Sequence, residues 1–287
     1  MNLPTLVITA FKEPNIIAAV EAALGQKTEC KYNVLVSAPD DETLEKVKDY
    51  PIFIYKDAGK GKSYALNDIF KQSDSDILIL TDGDVTISDN AVEEILKMFE
   101  DPKVGCVTGC PVPIEDRSTK YGYWANFLFD AAHDLRKKSY EQGKFIECSG
   151  YLFAFRRNII DKIPLDVSED AVIPYYFWQK GYKVGYAENA LVYVKNADNW
   201  TDWIKQKTRT SKAHSKLDRY VDTKKTKRVK SFGTEVKGIF NLISYPESVK
   251  EAWWSMHLAL ARLYMWLKVA LGKKDYGDGW ESIASTK

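Results

Sequence analysis

Four cysteines in 287 residues, none in a CxxC pair or at metal-finger spacing, give no framework for disulfides or structural zinc. Cys30, Cys106, Cys110 and Cys148 therefore read as reduced core thiols of a cytoplasmic protein. Net charge is nearly absent as well: 41 basic residues face 40 acidic ones, so no global charge draws the chain to nucleic acid. No uninterrupted apolar run is long enough to cross a bilayer. The first residues enter a strand without a signal-peptide pattern. What remains is a hydrophobic content of 45% and a charged content of 28%, as in soluble globular proteins. The length suffices for one large α/β domain with an appendage, or for two domains.

Strand and helix signals alternate from the start. Pro4-Thr-Leu-Val-Ile-Thr-Ala reads as a strand, and Asn15 is placed to cap a helix through Ile16, Ile17, Val20 and Leu24. Strands at Asn33 to Val36 and Ile52 to Tyr55 flank a short helix from Thr43 to Lys48. This order predicts a doubly wound, mainly parallel sheet with right-handed crossovers. Ile77-Leu-Ile-Leu80 is a run buried on both faces. It ends in Asp82-Gly83-Asp84, where open α/β sheets bind ligands. Asp82 and Asp84 alternate, so in a continuing strand both carboxylates leave one face. Paired hard oxygen donors suit Mg²⁺ or Mn²⁺ shared with a diphosphate; the same residues also suit a surface turn.

Two further stretches carry candidate chemistry. Asp57-Ala-Gly-Lys-Gly-Lys-Ser-Tyr-Ala-Leu-Asn67 brings Lys60 and Lys62 to the start of a helix, where free N–H groups also favour an anion; a flexible basic loop is the plainer reading. GxxxxGK[ST] spacing is absent, which excludes a P-loop ATPase. Ser168-Glu169-Asp170 begins a later helix. Acids there are favoured electrostatically without any function, and an ionised carboxylate there can also take a proton from an attacking hydroxyl. Between these stretches, helices are expected through Ala91 to Phe99 and Tyr121 to Leu135, and strand character from Phe145 to Arg157, broken at Ser149-Gly150. Arg156 and Arg157 are either solvated or functional.

In order and spacing, VITAFKE, PDDET, GKGKSYALN, LILTDGDV, CSGYLFAFRR, SEDAVIPYYFWQKGYKVGY and Gln206-Lys-Thr-Arg209 resemble family 2 glycosyltransferases of the GT-A fold. The resemblance covers roughly residues 4 to 212. It implies sugar transfer from a nucleoside diphosphate sugar, UDP before GDP, with inversion, onto a hydroxyl or lipid-phosphate acceptor of a glycan or lipid-linked substrate. It also implies roles. Asp84 holds the Mg²⁺ or Mn²⁺, Asp82 contacts nucleotide or metal, and Asp170 is the general base. Thr9, Phe11, Glu13 and Lys62 face the nucleotide. The family's base-reading acid after the second strand is missing at Val36-Ser-Ala-Pro39, and Asp41 is the acid carried to the nucleotide instead. Glu169, Gln206 and Arg209 are carried to the acceptor. Gln206 and Arg209 partly match the QxxRW pattern of processive polysaccharide synthases, with Thr210 in place of tryptophan. The competing readings are a nucleotidyltransferase and a degenerate nucleotide-sugar or glycan binding protein.

The division expected is a catalytic domain over 1–212 and a basic, Trp-rich helical extension over 213–287. Residues 203–230 are dense in lysine and arginine, either solvated or attracted to anionic lipid. On a helical wheel, Glu251 to Leu271 is apolar almost all round. One thin polar line carries Glu251, Ser255 and Arg262, and another carries His257 and Lys268, so it is not a simple interfacial helix. Either packing in a helical appendage or peripheral association with the inner face of a membrane fits that pattern.

Overall fold

The computed structural model describes residues 2–214, 216–226, 228–229, 239–271 and 284–286. Among them, eight strands form one mixed, mostly parallel sheet. In chain order these are β1 (Thr5–Thr9), β2 (Asn33–Ala38), β3 (Phe53–Lys56), β4 (Ile77–Asp82), β5 (Val85–Ile87), β6 (Val104–Pro113), β7 (Leu152–Arg156) and β8 (Lys183–Val194). Their spatial order is β3-β2-β1-β4-β7-β6-β8-β5. β1 pairs in parallel with β2 and β4, β7 is antiparallel to both β4 and β6, and β6 and β8 are again parallel. The helices are α1 (Ile16–Leu24), α2 (Asp41–Glu45), α3 (Lys62–Gln72), α4 (Ala91–Met98), α5 (Lys120–Glu141), α6 (Glu169–Gln179), α7 (Trp200–Ala213), α8 (Ile239–Ser244) and α9 (Val249–Leu271).

The two-residue period of the central strands feeds two cores. Leu6, Ile8, Ile77 and Ile79 pack with α1 and α4 on one face, while Val7, Leu78 and Leu80 pack with α3 and α6 on the other. This is the doubly wound, helix-covered sheet that the apolar run of β4 requires. A third cluster joins Tyr123, Trp124 and Phe127 of α5 to Trp203 and Ile204 of α7 and to Leu258, Ala261 and Met265 of α9.

Several local expectations are corrected. β4 stops at Asp82, and Gly83-Asp84 turn into β5 rather than continuing the strand. Asn15 stands at the N-cap of α1 without a side-chain capping bond; its own N–H donates to Glu13 Oε1 at 3.0 Å. Cys30 is exposed, whereas the other three cysteines are buried, with Cys106 and Cys148 Sγ 3.4 Å apart. Arg156 is neither solvated nor catalytic in placement: its guanidinium donates to the carbonyls of Val104 and Phe99 at 2.8 Å. Arg157 similarly reaches Phe70 and Ile160. Of the basic stretch 203–230, residues 215, 227 and 230 lie outside the described residues; within them, Lys216 and Arg219 fold onto Asp166 at 3.3 and 3.5 Å. Within the expected extension over 213–287, residues 231–238, 272–283 and 287 also lie outside the described set.

Candidate active site

The parallel half of the sheet brings several polar side chains to one edge. At the carboxyl end of β1, buried Thr9 lies opposite Asp82 of β4. Thr9 Oγ1 donates to Asp82 Oδ1 at 3.0 Å. The same oxygen accepts from Lys62 Nζ at 2.6 Å. Lys62 opens α3 directly after Gly61, whose φ of 124° is a value that glycine adopts and other residues rarely do. Its ammonium also lies 2.7 Å from Glu169 Oε1 in the first turn of α6. One lysine thus ties together the ends of three elements that are distant in sequence. Burial works against its charge, but Asp82 and Glu169 more than offset this and hold it above the usual lysine range. Burial in turn raises Glu169, with Lys62 opposing and Asp170 adding to the rise.

Asp84 is raised to about 7, first by burial and then by the neighbouring charges of Asp82 and Glu13. Gly83 permits this crowding. A Cβ there would sit 2.9 Å from that of Ala10 and 3.0 Å from Ile16 Cδ1, so only glycine lets the first loop close over the turn. Glu13 is buried in that loop, and Phe11 is half-buried beside it. Tyr151, which precedes β7, has its phenol pushed up by burial and by Asp84 and Asp82, with Arg209 and Asp170 also within electrostatic reach. Arg209 of α7 therefore stands in the same neighbourhood as the DGD turn. Asp170 accepts a hydrogen bond from Ser168 Oγ at the start of α6. A Cβ on Gly150 would meet Asp170 Oδ2 at 3.4 Å, so the Ser149-Gly150 break is where the chain passes this carboxylate. Gln206 Oε1 is a buried acceptor with no hydrogen-bond partner among the described residues.

Asp41 lies apart in character. It is exposed in the first turn of α2, 2.6 Å from Lys56 Nζ, while its neighbour Asp40 caps the helix through Thr43 N–H at 2.9 Å. Two residues went unnoticed in the sequence. Asp57, buried after β3, accepts from Ser37 Oγ at 3.0 Å and from Gly59 N–H at 2.8 Å, and burial raises its carboxyl. Tyr151 gave no signal because an aromatic residue beside a strand reads as core. For Asp57, the missing acid at the end of β2 was a signal: its carboxylate arrives there from β3.

Asp82 and Glu169 pair with Lys62, Asp84 stands within its electrostatic reach, and Glu13 and Asp170 act on Asp84 and Glu169, giving hard oxygen donors of the kind a divalent cation takes. Among the described residues no three histidine, cysteine, aspartate or glutamate side chains converge as a closed cage.

The sequence model of glycosyl transferase family 2 matches residues 5–164. The chain is 28% identical over 163 residues to the probable glycosyltransferase YdaM of Bacillus subtilis (strain 168), covering 55% of this chain and 39% of that protein. It is 26% identical over 239 residues to a poly-beta-1,6-N-acetyl-D-glucosamine synthase of Staphylococcus aureus (strain MSSA476), covering 78% of this chain and 58% of that one. The chain thus spans 39% to 58% of the length of these curated relatives.

Proposed function

Because this chain belongs to glycosyl transferase family 2, we propose that it moves a sugar from a nucleoside diphosphate sugar to a hydroxyl of a glycan acceptor in one inverting displacement. The observation that carries this reading is the bridge made by Lys62, which joins the DGD strand end to the Ser-Glu-Asp helix start. Leaving-group stabilisation and proton removal must act on opposite sides of one sugar, and that bridge holds the two parts in register.

In this reading Asp84 and Asp82 hold a Mg²⁺ or Mn²⁺, which supplies positive charge to the departing diphosphate. Thr9, Phe11 and Glu13 shape the nucleotide side, and Lys62 keeps Asp82 oriented by its ion pair. Asp170, fixed by Ser168, takes the proton of the attacking hydroxyl. Glu169, carried to the acceptor from the sequence, is instead held on Lys62, and the buried, unpartnered Oε1 of Gln206 accepts from a sugar hydroxyl that reaches it, with Arg209 on the same helix. Similarity to a poly-beta-1,6-N-acetyl-D-glucosamine synthase supports a glycan acceptor. UDP is the nucleotide we infer, with Ser37 and Asp57 standing where a base-reading acid is otherwise expected.

A panel of UDP- and GDP-sugars, assayed for nucleotide release with and without Mn²⁺, tests the reading. Release from one donor, dependent on the cation and lost in Asp170→Asn, is expected. Absence of both turnover and binding across the panel sinks it. Binding without turnover favours a carbohydrate-binding role instead.

A further inference from the structure

Helix α9 is inside out. Its polar line faces the protein: Glu251 takes two hydrogen bonds of 2.8 Å from Arg117, and Ser255 Oγ lies 2.6 Å from the Tyr123 hydroxyl. The opposite side is apolar and open to solvent. Trp253, Met256, Leu260, Leu263, Tyr264 and Leu267 recur at three- and four-residue steps, each exposed, with Trp253 and Leu260 both at 57%. From Trp253 to Leu267 this stripe runs about 21 Å along a helix of 23 residues. Among the described residues no helix is long and apolar enough to cross a membrane, so the stripe is not one side of a spanning segment.

We propose that this face of α9 lies on an anionic lipid surface, seated in the plane of the interface. Three observations choose lipid over water or a second copy. The helix's one carboxylate, Glu251, is consumed by Arg117, so the open side carries no acid. Lys250 and Lys268, about five turns apart on one flank of the stripe, are both exposed, the Lys250 ammonium resting over the Trp254 ring at 4.6 Å and 3.4 Å from the Ser118 carbonyl, and a lysine so exposed can swing to a lipid phosphate. Trp253 and Tyr264 stand on the stripe, and half-exposed Trp200 of α7 lies 5.7 Å from the Tyr264 ring, giving the amphipathic aromatics suited to a headgroup layer. An antiparallel two-fold pairing of the same face would instead set Lys250 of one copy beside Lys268 of the other, like charge on like. Seating α9 on lipid also brings α7, which packs against it and carries Gln206 and Arg209, close to the bilayer.

The test needs no donor or acceptor, so its outcome is independent of the proposed transfer reaction. The full chain is sedimented with vesicles of phosphatidylcholine alone and of phosphatidylcholine with a third phosphatidylglycerol, and its mass in solution is measured by sedimentation velocity. Binding on the order of tenfold tighter to the anionic vesicles is expected. Leu260→Glu should weaken it by more than about tenfold without moving the melting temperature, because that side chain already faces out. Lys250→Gln with Lys268→Gln should remove most of the preference for anionic lipid. Failure to bind either vesicle overturns the proposal, as does a dimer that Leu260→Glu dissolves. Equal binding to both vesicles overturns the role of the lysines.

Discussion

Two ion-paired groups fasten distant parts of this chain, each one cation on two carboxylates, and they differ in burial. Arg117 meets Glu251 with two of its nitrogens and Glu247 with the third, at 3.2 Å, and lies over the Tyr245 ring at 4.4 Å. Glu247 is exposed there, and the Glu251 carboxyl is held below its usual range, first by its hydrogen bonds from Arg117, at the root of α9. Lys62 also bridges two carboxylates, but in a more buried place, where burial raises Glu169 and lifts Asp84 to about 7. An ion group whose carboxylate is lowered by its partner holds structure. One whose carboxyls are raised by burial stores electrostatic cost that a cationic ligand can relieve, which is the physical mark of a site.

The contrast breaks or sharpens under substitution. The largest effect expected is on turnover: Asp170→Asn should lower kcat on the order of 10³-fold while circular dichroism and melting stay unchanged, since its loss removes a proton acceptor and leaves the Lys62 bridge intact. Next comes Lys62→Met, which strands Asp82 and Glu169 in a largely buried place. It should cost about 3 kcal/mol in urea unfolding and abolish donor binding measured by calorimetry. Arg117→Met should destabilise by about 1 to 2 kcal/mol, less because its pair is partly exposed, and leave kcat on a soluble acceptor within about twofold. If Arg117→Met abolished turnover at unchanged stability, the two groups would not differ in kind.

The smallest effect is a pH signature. The Asp84 carboxyl is raised from 3.8 to about 7 in the folded chain. The folded state therefore binds more protons than the unfolded one between those values, and stability falls as pH rises through that window. Asp84→Asn removes this loss. Without added metal, its melting temperature should match wild type near pH 4 and exceed it by a few degrees above pH 7, read by calorimetric scans. A constant difference at all pH values would show that Asp84 is not strained.

Much of the catalytic half was legible from the chain because its signals are local. Uninterrupted aliphatic strands, a glycine loop and acids at a strand end and a helix start each follow from short-range pattern, and their order along the chain carried the family resemblance. Asp82, Lys62 and Asp170 could be picked out in that way. Their meeting could not, since Lys62 reaches Asp82 twenty residues on and Glu169 far beyond, and only the packing of α3 and α6 on one sheet face sets those distances. The DGD turn followed the same division: composition marked it, while the closure of Ala10 and Glu13 over Gly83 raised Asp84.

The carboxyl-terminal helix reverses the balance between the two sources. Its sequence fixed the helix and its two thin polar lines, and nothing in a wheel says which line turns inward. Tertiary structure decided that Glu251 and Ser255 face Arg117 and Tyr123, because a part-buried guanidinium and a buried phenol need partners more than leucines need cover. What the chain alone determined was the set of local elements and the identity of the reactive groups. What only the fold decided was which charges share a space, and which apolar face was left exposed.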